Sequence, residues 1–230
     1  MLWALTKLAD YSNSSYCKPK GPVIGPLVVC AFAAPEAALS FLKSAGVRDS
    51  KLLSPGRREE LARELRVFPH ALVVVSAREI TEEMARKVSL NEVEARAMAR
   101  AIQSVVEKIG FENVSRVVVD SPDPTSARFK ARLRKYYDAD SKVRCEHKAD
   151  VNHVEVGAAS ILAKVLRDAE VDKIKKIFGE DFGTGYSHDV VTIAFLKKHL
   201  RDPRLHEFVR WKWSTAKKLR VTQLELGKFL

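Results

Sequence analysis

The chain has 230 residues, 46% of them hydrophobic and 30% charged, which is enough for one substantial core and ordinary for a globular protein. No apolar run is long enough to span a bilayer, and no small-residue cleavage site follows the weakly apolar start, so a membrane protein and a secreted one are both disfavoured. A net charge of +11 points to an acidic partner, nucleic acid above all.

The positive charge is clustered. Residues 126–148 carry eight Lys/Arg against three Asp/Glu, and residues 197–220 carry nine against two. Neither block has a clean apolar face opposite its charge, which argues against a membrane surface as partner. The three cysteines, Cys17, Cys30 and Cys145, are far apart and odd in number. They point to a reducing, cytoplasmic compartment and away from a disulfide scaffold or a zinc site. Four Asn and two Gln beside abundant Arg, Lys and Glu lean towards a thermophilic source.

In chain order, Leu2 to Ala9 has the apolar character of a central first strand. Gly21-Pro22-Val23-Ile24-Gly25-Pro26 is a turn-rich segment where the backbone must approach something closely. It leads into Leu27–Phe32, read as a buried strand. Ser54-Pro55 starts a helix, with serine as cap and proline at the first helical position. Ala71–Val75 reads as a second buried strand, and Ser76 to Glu79 has capping-box spacing. Ser89 and Glu92 repeat that spacing before a helix with Val93, Ala97, Ala101, Val105 and Ile109 on one stripe. Arg116–Asp120 and Lys142–Glu146 are further strands, with a basic helix over Thr125–Tyr137 between them. Helices then dominate, so the chain is α/β, a sheet with helices on its faces and a helical C-terminal segment.

The stretch Glu146 to Asp168, EHKADVNHVEVGAASILAKVLRD, carries most of the chemistry. It places Asp150 just past a short basic strand and opens a long small-residue helix expected to end at Arg167-Asp168. Asp120 closes the apolar run Val117-Val118-Val119. In α/β sheets, polar groups that act on ligands sit beyond strand ends, and both acids occupy such places.

These residues resemble a known family. From Gly21 onward the chain is similar to archaeal ribonuclease HII, the type 2 ribonuclease H. The matching segments are Gly21–Pro26, Asp49-Ser50-Lys51-Leu52, Ser89-Leu90-Asn91-Glu92, Val119-Asp120, His147-Lys148-Ala149-Asp150, Ala158–Lys164 with Arg167-Asp168, and Gly183-Thr184-Gly185-Tyr186. The likeness spans about residues 20–217. It implies the ribonuclease H-like fold, a central mixed sheet flanked by helices, and an endonuclease that hydrolyses RNA paired with DNA or single ribonucleotides embedded in duplex DNA. The implied cofactors are two Mn²⁺ or Mg²⁺ ions about 4 Å apart, which activate water and stabilise the leaving oxygen. Hard cations prefer oxygen ligands, hence the carboxylates of Asp120 and Asp150 as catalytic and metal-binding residues. Asp168 is equally a salt-bridge partner of Arg167. Tyr186 matches the tyrosine that stacks beneath the ribose, where the 2′-hydroxyl alone marks RNA. Gly21, Lys51, Lys164 and Arg167 complete the implied substrate contacts. Arg210, Lys212, Lys217 and Lys218 are further candidates for backbone phosphates.

The chain departs from the family in one place. The family's first strand runs into Asp-Glu-Ala-Gly-Arg-Gly. In ungapped register the two carboxylates fall at Tyr16 and Cys17, and Ala-Gly-Arg falls at Lys18, Pro19 and Lys20. Neither tyrosine nor cysteine replaces a hard carboxylate ligand for Mg²⁺. Pro19 also removes a backbone N–H. The chain as written is therefore expected to be impaired. The abrupt boundary at Gly21 favours a start that is not the natural one over a degenerate paralogue that binds hybrids without cutting them.

Gln223, Leu226, Phe229 and Leu230 resemble the clamp-binding box of replication proteins, a one-turn helical plug with a glutamine beside it. The partner so implied is the sliding clamp (PCNA). The expected organisation is an atypical segment over 1–20, a catalytic domain over 21–200 and a helical segment over 201–230. The protein is taken as a monomer acting in DNA replication and repair.

Overall fold

The run Leu-Trp-Ala-Leu-Thr-Lys-Leu at positions 2–8 forms β1, the middle strand of a five-stranded sheet. A computed structural model describes residues 2–8, 21–47, 50, 53–138 and 140–226, and for 2–8, 140 and 221–226 it describes the backbone alone. The other strands are β2 (Leu27–Pro35), β3 (His70–Val75), β4 (Val114–Asp120) and β5 (Val143–Glu146), in the order β3-β2-β1-β4-β5. β1 runs antiparallel to β2, with Thr6 opposite Ala31, and parallel to β4, with Thr6 opposite Val119. β5 is parallel to β4, and Asp120 pairs with Glu146 at the end of both. The sheet is therefore mixed, and the ribonuclease H-like architecture expected from the sequence is found, with Leu2–Leu8 in its predicted central place.

The helices are α1 (Leu39–Ser44), α2 (Pro55–Leu65), α3 (Ala77–Ala85), α4 (Leu90–Ile109), α5 (Ser126–Leu133), α6 (Ala149–Asn152), α7 (Val154–Phe178), α8 (Val190–His199), α9 (Leu205–Phe208) and α10 (Ser214–Leu226). Their starts follow local chemistry. The Ser54 side chain accepts from the Arg57 N–H, and Pro55 stands at the first helical position. Ser76 accepts from the Glu79 N–H at 3.0 Å. The stripe Val93, Ala97, Ala101 and Val105 of α4 is buried, and Ile109 is half-buried.

The chain divides into two compact units. The first holds residues 1–9, 28–74 and 90–166, and the second holds 10–27, 75–89 and 167–230. In the first, Val28, Cys30, Phe32 and Ala34 of β2 pack with Ala158, Ala159, Ile161, Leu162 and Ala163 of α7 and with Leu61, Ala62 and Leu65 of α2. The small residues of α7 let helix and sheet backbones approach closely. Burial among these side chains pushes the Cys30 thiol up, well above the usual range.

Two sequence expectations are corrected. β3 is an edge strand with Val74 44% exposed, so Ala71–Val75 is not buried on both faces. α7 does not end at Arg167-Asp168. It continues to Phe178, with no Gly or Pro between Asp168 and Gly179, which takes a φ of +64°. Asp150 stands just past β5, as expected, in the separate turn α6, divided from α7 by the extended His153.

In the first unit one polar network ties α4, α5 and the loop after β4 together. Asp123, 3% exposed, accepts from Asn91 Nδ2 at 2.6 Å and from Arg132 Nε at 2.8 Å. Arg132 Nη1 reaches Glu92 at 2.8 Å, and Lys135 Nζ and the Tyr136 hydroxyl donate to the same carboxylate. Burial pushes the Glu92 carboxyl up, but the bonds from Tyr136, Arg132 and Lys135 outweigh it and hold it below the usual range. Removing Arg132 strands the buried Asp123 charge. Arg132→Leu is expected to lower unfolding free energy by about 3 kcal/mol in a urea titration. Adding Asp123→Asn is expected to recover part of that loss.

Candidate active site

The first unit carries Asp120 and Asp150. Asp120 ends β4, half-buried, and Asp150 is buried in α6. The Ala149 N–H donates to Asp120 Oδ1 at 3.0 Å, so the residue next to Asp150 is fastened to the Asp120 carboxylate. Lys148 makes this possible by adopting left-handed backbone angles, φ 55° and ψ 35°. Such a conformation costs a non-glycine residue about 1 kcal/mol or more and is found where structure around it over-determines it. Val118, Ala149 and Val156 pack together beneath. The Ser121 N–H donates to the Glu146 carbonyl at 2.8 Å, which holds the ends of β4 and β5 in register. Glu146 in turn stands 2.8 Å from His153 Nε2.

Two carboxylates on adjoining elements suit a hard divalent cation. Among the described residues no three acidic, histidine or cysteine side chains are grouped so that they could hold a metal ion. That donor set falls short of a two-metal centre, and positions 16 and 17 lie outside the described residues. Asp49 and Lys51 lie outside them as well, although Ser50 between them is well anchored. Its hydroxyl is 2.6 Å from that of Ser160, and its carbonyl accepts from Arg58 Nη1.

The second unit joins Gly21 to Tyr186. The Val23 and Ile24 N–H groups both donate to the Gly185 carbonyl, at 2.7 and 3.1 Å, and Pro22 pairs with Tyr186 as an isolated bridge. Gly185 needs its φ of +79° here, because a Cβ would lie 3.0 Å from the Ile24 carbonyl oxygen. Gly183 is equally constrained, as a Cβ would come within 2.5 Å of Asp189 Oδ2. Asp189 Oδ2 accepts from both the N–H and the hydroxyl of Thr184, while Oδ1 accepts from the Val191 N–H and caps α8. The buried Thr192 hydroxyl accepts from the Gly185 N–H and donates to the Phe182 carbonyl. The Tyr186 ring is left half-buried, 5.1 Å from the Arg167 guanidinium carbon.

Arg167 and Arg210 are both buried. Both were candidates for phosphate contact, yet they are 3% and 1% exposed. Arg167 donates to the Thr184 carbonyl at 3.0 Å and to Asp168 at 3.2 Å, and Arg210 donates to the Gly25 and Pro26 carbonyls. The Arg167–Asp168 pair is the salt bridge weighed for Asp168. Lys164 is half-buried on α7, Lys212 is half-buried, and Lys217 and Lys218 are exposed. Gln223 and Leu226 lie in α10, whereas Phe229 and Leu230 lie outside the described residues. The sequence reading missed Asp189 and Thr192. An acid immediately before the apolar Val190-Val191 was a legible cap signal, but the turn that folds back onto it was not.

Asp189 gives a pH dependence. Hydrogen bonds from the Thr184 side chain, the largest cause, and from its backbone hold the carboxyl down at about 2, against an ordinary value of 3.8. A depressed carboxyl contributes stability that is present above its unfolded value and is lost as pH falls through the folded one. Asp189→Asn is therefore expected to lower the melting temperature above pH 3.8, with the gap to the parent closing as pH falls towards 2. Differential scanning calorimetry across that window checks it.

Comparison with known proteins agrees with this geometry. Residues 19–216 match the family model for ribonuclease HII. A ribonuclease HII of Pyrococcus abyssi is 38% identical over 218 residues, covering 92% of this chain and 93% of the relative. The crystal structure of ribonuclease H2 from Pyrococcus horikoshii superposes with a TM-score of 0.77 at 33% identity, covering 95% of this chain and 97% of the other. The ribonuclease HII of Archaeoglobus fulgidus, solved in a complex with PCNA, superposes with a TM-score of 0.76 at 36% identity, covering 93% and 96%. With fold, acids and glycine turn all in the expected order, the chain belongs to the ribonuclease HII family, ribonuclease H-type endonucleases.

Proposed function

We propose that this chain recognises RNA–DNA hybrids and ribonucleotides embedded in duplex DNA, and that its own cleavage chemistry is impaired. The bond from Ala149 to Asp120 carries the first half of this, because it holds the two family carboxylates on one framework. Asp120 and Asp150 are assigned as catalytic residues and ligands for Mn²⁺ or Mg²⁺. Gly21 and Tyr186 are assigned to the ribonucleotide. Lys51, Lys164, Lys217 and Lys218 are assigned to backbone phosphates, which position a duplex without reading sequence. The impairment rests on Tyr16 and Cys17, where the family carries two carboxylates. The same two residues favour a second role, a hybrid-binding protein without nuclease activity. Residues 21–200 would carry recognition and any residual chemistry, in a cytoplasmic monomer.

Loss of an outer-shell partner alone costs a metal enzyme about 10–100-fold, so loss of two direct ligands is expected to cost roughly 100-fold or more. The measurement is cleavage of a duplex with one embedded ribonucleotide, in Mg²⁺ and in Mn²⁺, beside an Asp120→Asn control. The chain is expected to bind but hardly cut. Tyr16→Asp and Cys17→Glu, combined with Lys18→Ala, Pro19→Gly and Lys20→Arg, are expected to restore cleavage. Strong cleavage by the unrepaired chain, abolished in Asp120→Asn, would mean that other ligands complete the site. Inactivity after the repair would count against the assignment of Asp120 and Asp150.

Residues 201–230 are proposed to deliver the protein to a sliding clamp through Gln223, Leu226, Phe229 and Leu230. The complex of the Archaeoglobus relative with PCNA supports this. Phe229→Ala is expected to weaken clamp binding about tenfold or more by calorimetry, as for an aromatic anchor in a desolvated pocket. Unchanged affinity would remove the tail from the interface.

A further inference from the structure

Arg210 is one of the largest fully buried side chains, with 1% of its surface exposed. Burying a guanidinium is costly unless its donors are met, so its partners show what it is kept for. Nε donates to the Gly25 carbonyl at 3.0 Å and Nη2 to the Pro26 carbonyl at 2.7 Å. The Arg210 backbone N–H donates to the Val23 carbonyl at 2.9 Å, and the Gly25 N–H donates to the Phe208 carbonyl at 2.8 Å. The Trp213 ring, itself 1% exposed, lies 5.2 Å from the guanidinium carbon. A Cβ on Gly21 would stand 3.6 Å from that ring and 3.8 Å from Arg210 Nη1. The loop Gly21–Pro26 is thus clasped on its carbonyl side by Arg210, while Val23 and Ile24 bind the glycine turn that carries Tyr186.

We propose that Arg210 is a positioning residue for ribonucleotide discrimination. It fixes the backbone of Gly21–Pro26 and, through the Pro22–Tyr186 bridge, the placement of Tyr186. This rests on the assignment of Gly21 and Tyr186 to the ribonucleotide. Telling ribose from deoxyribose depends on a single hydroxyl, so it needs groups held to hydrogen-bond precision. Affinity for the duplex as a whole comes from lysines and phosphates and tolerates looser geometry. A slack loop therefore loses discrimination and keeps affinity. Lysine is a poor substitute, because the rigid planar fork of arginine is preorganised to hold two neighbouring carbonyls, whereas a flexible ammonium is not.

The test is anisotropy binding of the full chain, with chelator present, to two duplexes that differ only by one embedded ribonucleotide. The readout is the ratio of the two dissociation constants, with circular dichroism as a check on folding. Arg210→Lys is expected to lower the ratio about tenfold, or to unity if it starts smaller, and to leave affinity for the all-DNA duplex within about twofold. Trp213→Phe, which keeps an aromatic ring at the core, is expected to move the ratio the same way by a smaller step. It serves if Arg210→Lys fails to fold. A ratio unchanged in a folded variant, or a parallel fall for both duplexes, overturns the proposal. Tyr186→Ala separates the two levels. Discrimination lost in Tyr186→Ala but intact in Arg210→Lys defeats the clasp alone. Discrimination intact in Tyr186→Ala, or absent from the parent chain, defeats the assignment of the loop and turn and the clasp with it.

Discussion

Every strand of the sheet is held through β1. Leu2–Leu8 pairs on one side with β2 and on the other with β4, so without it the sheet falls into two pairs, β3-β2 and β4-β5, each with a new bare edge. Such edges are unstable in water and prone to wrong pairing. The requirement on this segment is mainly that it be extended and apolar, and LWALTKL meets it. The proposed function puts a chemical requirement on positions 16 and 17, two hard oxygen ligands, which tyrosine and cysteine do not supply. Architecture and catalysis thus make separable demands on the same stretch of chain. One can be satisfied while the other is not.

The two compact units divide the work by physical type. The first gathers charge at strand ends. Asp120 and Glu146 close neighbouring parallel strands, and the left-handed Lys148 brings the Ala149 N–H onto Asp120. The second is built from backbone. Its loop and its glycine turn meet through carbonyls and N–H groups, and side chains such as Asp189, Thr192 and Arg210 serve mainly to saturate them.

What the sequence made legible was local or carried by a motif. Ser54 and Ser76 cap the helices they were expected to start, because a cap depends on the next three residues. β2 was plain from an unbroken apolar run. The central place of β1 followed from its composition. The failures share a cause. The burial of Arg210 depends on carbonyls at Gly25 and Pro26, far away in the chain, and no local pattern reports them. The burial of Arg167 was hidden for the same reason. The end of α7 was placed too early because the Arg-Asp pair marked a motif boundary, and a motif boundary is not a helix stop signal. β3 was misjudged because an edge strand and a buried one can share the same Val-rich run.

Cys30 has a consequence for how the molecule opens. It lies in β2 with no exposed surface, and burial keeps its thiol protonated. Only a thiolate reacts readily with an alkylating reagent, so this one is inert as long as the strand is in place. Its side chain packs with Phe32, Ala158 and Leu162, so small excursions at the surface do not reach it. Modification at Cys30 therefore reports opening of the sheet's core rather than fraying at the surface.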